Sequence, residues 1–382
     1  MRRLCIFLMI LSGFNTPDAH SQSMDSLDLM IGQMIIVGLS DMDKNEYRNQ
    51  VYESIRQGKT GGIILFEKDL KPKNTQAELA RLVNSLQKEA TIPLFIGIDE
   101  EGGRVNRLKP KYGFPKTVSA QYLGKTNKLD STRFYADQTA RTLYAYGINT
   151  NYAPDVDVNI NPQNPVIGKV ERSFSPDYNQ VVAHARVVIE AHDQYRIATA
   201  IKHFPGHGSS QADTHLGIAD VSNTWQMEEL YPYKILIESG IVKGVMSAHI
   251  VNRTLDERKL PGTLSDKIIQ GMLREHLGYD GVVFSDDMHM GAISKNYGFE
   301  EAVVLSINAG IDVLMFSNNI YEDEQTGAPN LHAMIRSKVM SGEISEQRIR
   351  ESYQRIMKLK TWMGLLEQGY KTDLDNRLKT LY

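Results

Sequence analysis

Eight short runs of Ile, Val, Leu and Phe, separated by longer stretches with helical patterning, constrain this chain more than any other feature. The runs cover residues 34–37, 62–66, 94–98, 148–158, 198–203, 244–249, 281–285 and 311–316. Most are nearly continuous in apolar residues, the pattern of parallel strands buried on both faces. Amphipathic stretches at 76–90, 131–146, 179–195, 224–238 and 265–277 lie between them. Ser265 is placed to cap one of these helices and Gly278 to stop it, with Tyr279-Asp280-Gly281 turning into the next strand. Residues 301–310 and 345–365 read as the last helices, and 372–382 as a polar tail. Strand and helix alternating eight times predict an α/β chain folded as one closed (β/α)8, TIM-like barrel domain over residues 22–382. A doubly wound open sheet is the rival, but no phosphate loop and no GxGxxG after a strand supports it.

The remaining numbers narrow the function classes. A net charge of -3 gives no electrostatic case for nucleic acid. The single cysteine, Cys5, excludes an internal disulfide framework and a thiolate zinc site. Residues 1–21 begin with Arg2 and Arg3, continue in a short apolar run from Leu4 to Leu11, and end in Ala19-His20-Ser21. That is the pattern of a secretory signal, too short to span a bilayer, so the expected address is exported, periplasmic or secreted. Cys5 precedes most of the apolar run, which places it badly for a lipid anchor. No stable membrane insertion is expected, and oligomeric state is left open.

In a barrel the active site lies at the carboxyl ends of the strands. Here that edge collects Asp99-Glu100-Glu101 with Arg104, Asp155 and Asp157, Lys202-His203, His249, and Asp286-Asp287. So many ionisable groups at one rim point to a binding or catalytic pocket. The densest stretch is Lys202-His203-Phe204-Pro205-Gly206-His207-Gly208, followed by Asp213-Thr214-His215. Pro and two glycines after a strand make a sharp loop, and Asp213 and His215 can point to one side of it. A carboxylate bonded to one imidazole nitrogen fixes the tautomer and raises the basicity of the other, the equipment of a proton shuttle. An aspartate at the end of the seventh run can face the mouth as a nucleophile. Successive strand residues alternate faces, so Asp286 and Asp287 point apart, and the sequence leaves open which faces the mouth.

These residues together resemble family-3 glycoside hydrolases, in particular their single-domain β-N-acetylglucosaminidase branch. The resemblance rests on 202–208 with Asp213-Thr214-His215, on 99–107, and on Ser285-Asp286-Asp287. It runs from Ile31-Gly32-Gln33-Met34 through Ala309-Gly310-Ile311-Asp312, essentially the whole barrel. It implies a retaining β-N-acetylhexosaminidase without cofactor or metal, acting on terminal non-reducing β-linked N-acetylglucosamine, with peptidoglycan fragments as an expected source. Asp286 matches the family's nucleophile, His215 the acid/base, and Asp213 its partner. Asp99, Arg107, Arg172, Lys202 and His203 match positions that bind the sugar beside the cleaved bond. The segment 167–174 is longer before its arginine than in the commonest members, and many members are cytoplasmic whereas this chain carries an export pattern.

A retaining glycosidase works in two steps, carboxylate attack with acid assistance, then hydrolysis with the acid acting as base. The usual acid is a carboxylate; an imidazole, with an ordinary pKa near ~6.5, also suits proton transfer around neutrality. It repels an anionic acceptor less than a carboxylate does, so phosphate is a candidate acceptor beside water. In the family's β-glucosidase branch the acid/base generally comes from a second domain, whereas here a donor from the barrel itself is expected. The rivals are that β-glucosidase, a metal-dependent hydrolase using His203, His207, Asp213 and His215, and a glycan-binding barrel without chemistry. His207, His249 and Asp287 read as supporting groups.

Overall fold

A computed structural model describes residues 27–39, 45–317 and 327–381; the expected leader, 1–21, lies outside them. The strands in chain order are β1 (Ile35–Gly38), β2 (Gly62–Leu65), β3 (Phe95–Ile98), β4 (Thr150–Asn151), β5 (Ala198–Phe204), β6 (Ala219–Asp220), β7 (Gly244–Ser247), β8 (Ile250–Val251), β9 (Val282–Asp287) and β10 (Val313–Phe316). Eight of them close into a barrel in the order β1-β10-β9-β7-β5-β4-β3-β2, while β6 and β8 pair separately. All barrel pairings are parallel, and β1 against β10, with Ile36 opposite Met315, shuts the ring. The (β/α)8 expectation therefore holds, and the open sheet is excluded.

The interior follows from the residues. Phe95, Tyr152 and Phe284 fill the lumen edge to face, with centroids 6.0 Å (Phe95–Phe284) and 5.7 Å (Tyr152–Phe284) apart. Gly97 makes room for them, since a Cβ there would sit 2.5 Å from the Tyr152 hydroxyl. This aromatic layer is the floor on which the polar rim rests.

Several expectations need correction. Of the long fourth run, 148–158, only Thr150–Asn151 form continuous strand; Pro154, without an N–H, interrupts the ladder, and Asp155 rejoins β5 in a single bridge to Lys202. Asp155 and Asp157 thus lie beyond the strand. The expected helix 224–238 is a 3-10 turn, Met227–Glu229, followed by Tyr231–Glu238, where Pro232 sits in the first turn. The expected helix 265–277 is a π-helix, Lys267–His276; Ser265 Oγ accepts from Ile268 N–H at 3.2 Å, and Gly278 leaves it at φ +67°. A helix at Ala328–Met340 was not read from the sequence. The tail 372–382 is not a free polar end: Tyr370–Lys379 is a helix that buries Leu374 and Leu378, one turn apart. Among the described residues no helix is long and apolar enough to cross a membrane.

Buried charge locks the amino-terminal end of the barrel. Asp312 accepts from Arg274 and Arg348, each at 2.6 Å, and from Val283 N–H at 2.9 Å. Fully buried Lys360 donates to Gln33 Oε1 (2.6 Å), Gly61 O (3.1 Å) and Pro93 O (2.6 Å), beside the Phe95 ring. Lys360→Ala leaves Gln33 Oε1 and Pro93 O unpaired, while Gly61 O keeps the Phe95 N–H, so we expect a loss of about 3 kcal/mol in urea unfolding. Burial pushes the Lys360 ammonium down to about 7. The unfolded side chain titrates near ~10.4, so wild-type stability from this group rises between those values, and the variant's deficit should widen over that window. Turnover per folded molecule should be unchanged, since Lys360 lies opposite the mouth.

Candidate active site

The carboxyl ends of the strands carry the polar groups. Asp99 follows β3 directly, Lys202 and His203 lie within β5, and Asp286 and Asp287 end β9. Arg107, Arg172 and the pair Asp213 and His215 reach the same edge from loops after β3, β4 and β5.

Asp99 and Glu101 are two apart in extended chain and point the same way. Buried Lys202 bridges them, its Nζ 2.7 Å from Asp99 Oδ1 and 2.7 Å from Glu101 Oε1. Arg172 grips Glu101 with Nε (2.8 Å) and Nη2 (2.7 Å), the paired geometry that suits a guanidinium. Arg107 Nη2 stands 3.4 Å from Asp99 Oδ2. Burial raises the Asp99 carboxyl, but Lys202 and then Arg107 overcome it and hold the group below its ordinary value. Glu100 faces the other way, accepting from the N–H groups of Arg107 (2.8 Å) and Leu108 (3.1 Å), and burial pushes it up to about 7. Glu101 was gathered from the sequence with the other rim groups but given no role, although its spacing from Asp99 was the available signal.

His203 joins this cluster to a second one. Arg172 Nη2 lies 3.1 Å from His203 Nε2, and a guanidinium can only donate. Nε2 therefore accepts, and Nδ1–H donates to Asp157 Oδ2 at 2.7 Å. Asp157 Oδ1 also accepts from His207 N–H at 2.7 Å. Burial would raise Asp157, but the His203 and His207 imidazoles hold it low; burial and the Asp157 charge push Asp155 well up. The two neighbouring carboxyls titrate apart. Asp155, Asp157 and His203 are close enough to hold a cation. Two of the three are already committed, however, Asp157 to N–H donors and His203 Nε2 to Arg172; Asp155 Oδ2 accepts no hydrogen bond, but it stands 3.5 Å from Arg172 Nε and its carboxyl is pushed well up by burial. This is an ion-pair network rather than a metal cradle. The metal set of the rival reading, His203, His207, Asp213 and His215, is split, since His207 Nε2 approaches Thr214 Oγ1 (3.3 Å) while Asp213 and His215 bond each other.

The two aspartates of β9 separate by what they touch. Asp287 accepts from Ser317 N–H (3.0 Å), His289 N–H (3.1 Å) and the Ser317 hydroxyl, tying β9 to the end of β10. Among the described residues Asp286 accepts only the N–H of Asp287, at 2.8 Å, leaving its carboxylate to the mouth. Burial would raise it, but the imidazoles of His249, His203 and His215 more than compensate and hold it at about 2. His249 sits fully buried behind it, its Nε2 3.0 Å from the Asp287 carbonyl, which makes Nε2 the protonated nitrogen.

His215 is half exposed and partnered by Asp213, whose Oδ1 accepts from both His215 Nδ1 (2.7 Å) and His215 N–H (2.8 Å). With Nδ1–H committed, Nε2 is the nitrogen able to exchange a proton. Every residue expected at the site thus lies at the barrel mouth, and His215 is among the imidazoles that lower the Asp286 carboxyl.

The geometry has relatives. Residues 26–359 match the glycosyl hydrolase family 3 N terminal domain. The chain is 32% identical over 335 residues to beta-hexosaminidase A of Pseudoalteromonas piscicida, covering 82% of this chain and 55% of that protein. It is 32% identical over 270 residues to a beta-hexosaminidase of Tolumonas auensis, covering 70% of this chain and 78% of that one. The chain thus spans about half the length of the first and most of the second. A glycoside hydrolase family 3 beta-N-acetylglucosaminidase from Paenibacillus superposes with a TM-score of 0.80 at 32% identity, covering 93% of this chain and 68% of that one. By sequence and by fold, the chain belongs to glycosyl hydrolase family 3.

Proposed function

We propose that the chain is a retaining β-N-acetylhexosaminidase that releases terminal non-reducing β-linked N-acetylglucosamine. Asp286 is the nucleophile, His215 the acid/base and Asp213 the group that fixes its tautomer. Asp99, Arg107, Lys202, His203 and Arg172 hold the sugar. The observation that carries this reading is the contrast at β9: Asp286 is held ionised at about 2 and uncommitted, at the mouth it shares with the Asp213–His215 pair. The similarity to beta-hexosaminidases supports the choice of amino sugar.

The rim favours an anionic glycan. Residues 102–129, which leave β3 and flank the mouth, hold seven Lys and Arg and no Asp or Glu. Arg104, Lys116, Lys125 and Lys128 are exposed. Such a field raises the encounter rate of carboxylate-bearing fragments, as peptidoglycan supplies, over neutral chitin fragments. An exported address, read from residues 1–21, fits that substrate pool.

The test compares nitrophenyl N-acetylglucosaminide with the glucoside, then a peptide-bearing muropeptide with chitobiose at low and high salt. We expect the glucoside to be the poorer substrate by roughly 100-fold, since a site built for a polar group rejects substrates lacking it. Salt should lower kcat/KM several-fold for the muropeptide only. Preference for the glucoside would make this a β-glucosidase; equal salt response would remove the peptidoglycan assignment.

A further inference from the structure

Between Gln211 and Ile218 only Thr214 is buried; its neighbours on both sides, Asp213 and His215, reach toward solvent. A loop so exposed would wander, yet its acid/base must meet the leaving oxygen to within a fraction of an ångström. Its tethers are few and nearly all come from one place. Gly291 N–H donates to the His215 carbonyl at 3.1 Å, and Ala292 N–H to the Thr214 carbonyl at 3.1 Å. Lys295 Nζ donates to the Leu216 carbonyl at 3.1 Å. From the opposite side, His207 Nε2 approaches Thr214 Oγ1 at 3.3 Å. The turn Gly291–Ser294 follows β9, five residues after Asp286. The proposed nucleophile and acid/base therefore hang from one rigid support.

That seat exists only because residue 291 has no side chain. A Cβ there would lie 2.8 Å from the His215 carbonyl oxygen and 3.0 Å from the carbonyl carbon and oxygen of Leu216. All three are backbone atoms, so no rotamer change relieves the contact and the loop itself must lift. The backbone of Gly291 is not in the left-handed region, so alanine fits its local conformation. Position 291 thus reports loop placement without adding backbone strain.

We propose that Gly291 is a positioning residue whose missing side chain seats the Asp213–His215 loop on the turn after the nucleophile strand and so sets the distance between acid and nucleophile. The inference rests on the proposed roles of Asp286 and His215. Lifting the loop by even a fraction of an ångström weakens proton delivery, while Asp286, on β9, stays in place.

The experiment measures kcat/KM for Gly291→Ala and Thr214→Val on chitobiose, whose poor leaving group needs an acid, and on dinitrophenyl N-acetylglucosaminide, whose leaving group does not. Protease cleavage within 211–218 and thermal unfolding are followed in parallel. We expect chitobiose kcat/KM to fall roughly 10- to 100-fold in both variants. The dinitrophenyl substrate should stay within about twofold, loop cleavage should quicken, and unfolding should be unchanged. Equal losses on both substrates, or no change in loop cleavage, would overturn the positioning role. If the wild type cleaves neither substrate, the functional reading fails on its own. Loop cleavage alone then decides whether Gly291 seats the loop.

Discussion

Asp286→Ala should lower turnover of an N-acetylglucosaminide by roughly 10⁵-fold, close to 7 kcal/mol of lost transition-state stabilisation, while the protein stays folded. The size follows from the role proposed for Asp286, that of the group that forms the covalent intermediate. The retained fold follows from Asp286 accepting, among the described residues, a single hydrogen bond from its neighbour's N–H, so its loss unpairs little. Asp287→Ala makes the contrast. It releases Ser317 and His289 from β9, so it should cost stability first and activity only in consequence. Azide supplies the missing nucleophile in Asp286→Ala. Attack from the vacated side of a β-glycoside yields the α-glycosyl azide, which proton NMR distinguishes from the β product. The wild type should instead release product with β configuration at first. The pH profile carries a second signature: Asp286 is held at about 2, so its carboxylate is ionised at every higher pH, and protonation of the nucleophile should not limit kcat/KM near neutrality. Full activity in Asp286→Ala, or loss in Asp287→Ala with stability intact, would reverse the assignment of the two aspartates.

Where sequence patterning had a physical counterpart, it read correctly. The continuous apolar runs that became β1, β2, β3, β5, β7, β9 and β10 are buried on both sides, which only a closed or doubly covered parallel sheet requires. The fourth strand is obscure because Thr150 and Asn151, the residues that form it, are polar, while the stretch after them keeps only an isolated bridge at Asp155. The helix Tyr370–Lys379 escaped notice because it needs only Leu374 and Leu378 to dock, two apolar residues in a charged stretch. At the site, residue type and rim position sufficed to gather the ionisable groups. They did not suffice to rank them. Asp287 is set apart from Asp286 by its captors, the His289 N–H nearby and Ser317, 30 residues on. Glu101 matters because Lys202 and Arg172 converge on it, a fact of tertiary structure that local spacing hints at through Asp99. His249 was visible as a rim histidine, but its partners, Thr263 and the Asp287 carbonyl, were not.

His215→Ala should produce a different defect from Asp286→Ala, and the difference tests the division of labour. Losing a general acid and base costs roughly 10²- to 10⁴-fold in each step that needs one. With chitobiose the leaving alcohol needs its proton, so the first step becomes slow and kcat/KM falls by that factor. With a dinitrophenyl leaving group the first step needs no acid and kcat/KM should hold. The second step still lacks its base, so the glycosyl-enzyme accumulates, and both kcat and KM fall together. Azide, which needs no base, should then restore kcat and give the β-glycosyl azide, the opposite anomer from that formed by Asp286→Ala. Phosphate offers a comparison: if its attack uses the same imidazole face in the wild type, N-acetylglucosamine 1-phosphate appears at high phosphate and is absent in its absence. Asp213→Asn separates orientation from proton transfer. The amide cannot offer a carboxylate charge to Nδ1–H, so imidazolium formation is less favoured and the loss should be about 10- to 100-fold, smaller than for His215→Ala. A uniform loss across leaving groups in His215→Ala would place the proton donor elsewhere at the mouth, and the exposed pair in the loop after β5 would then have no part in the chemistry.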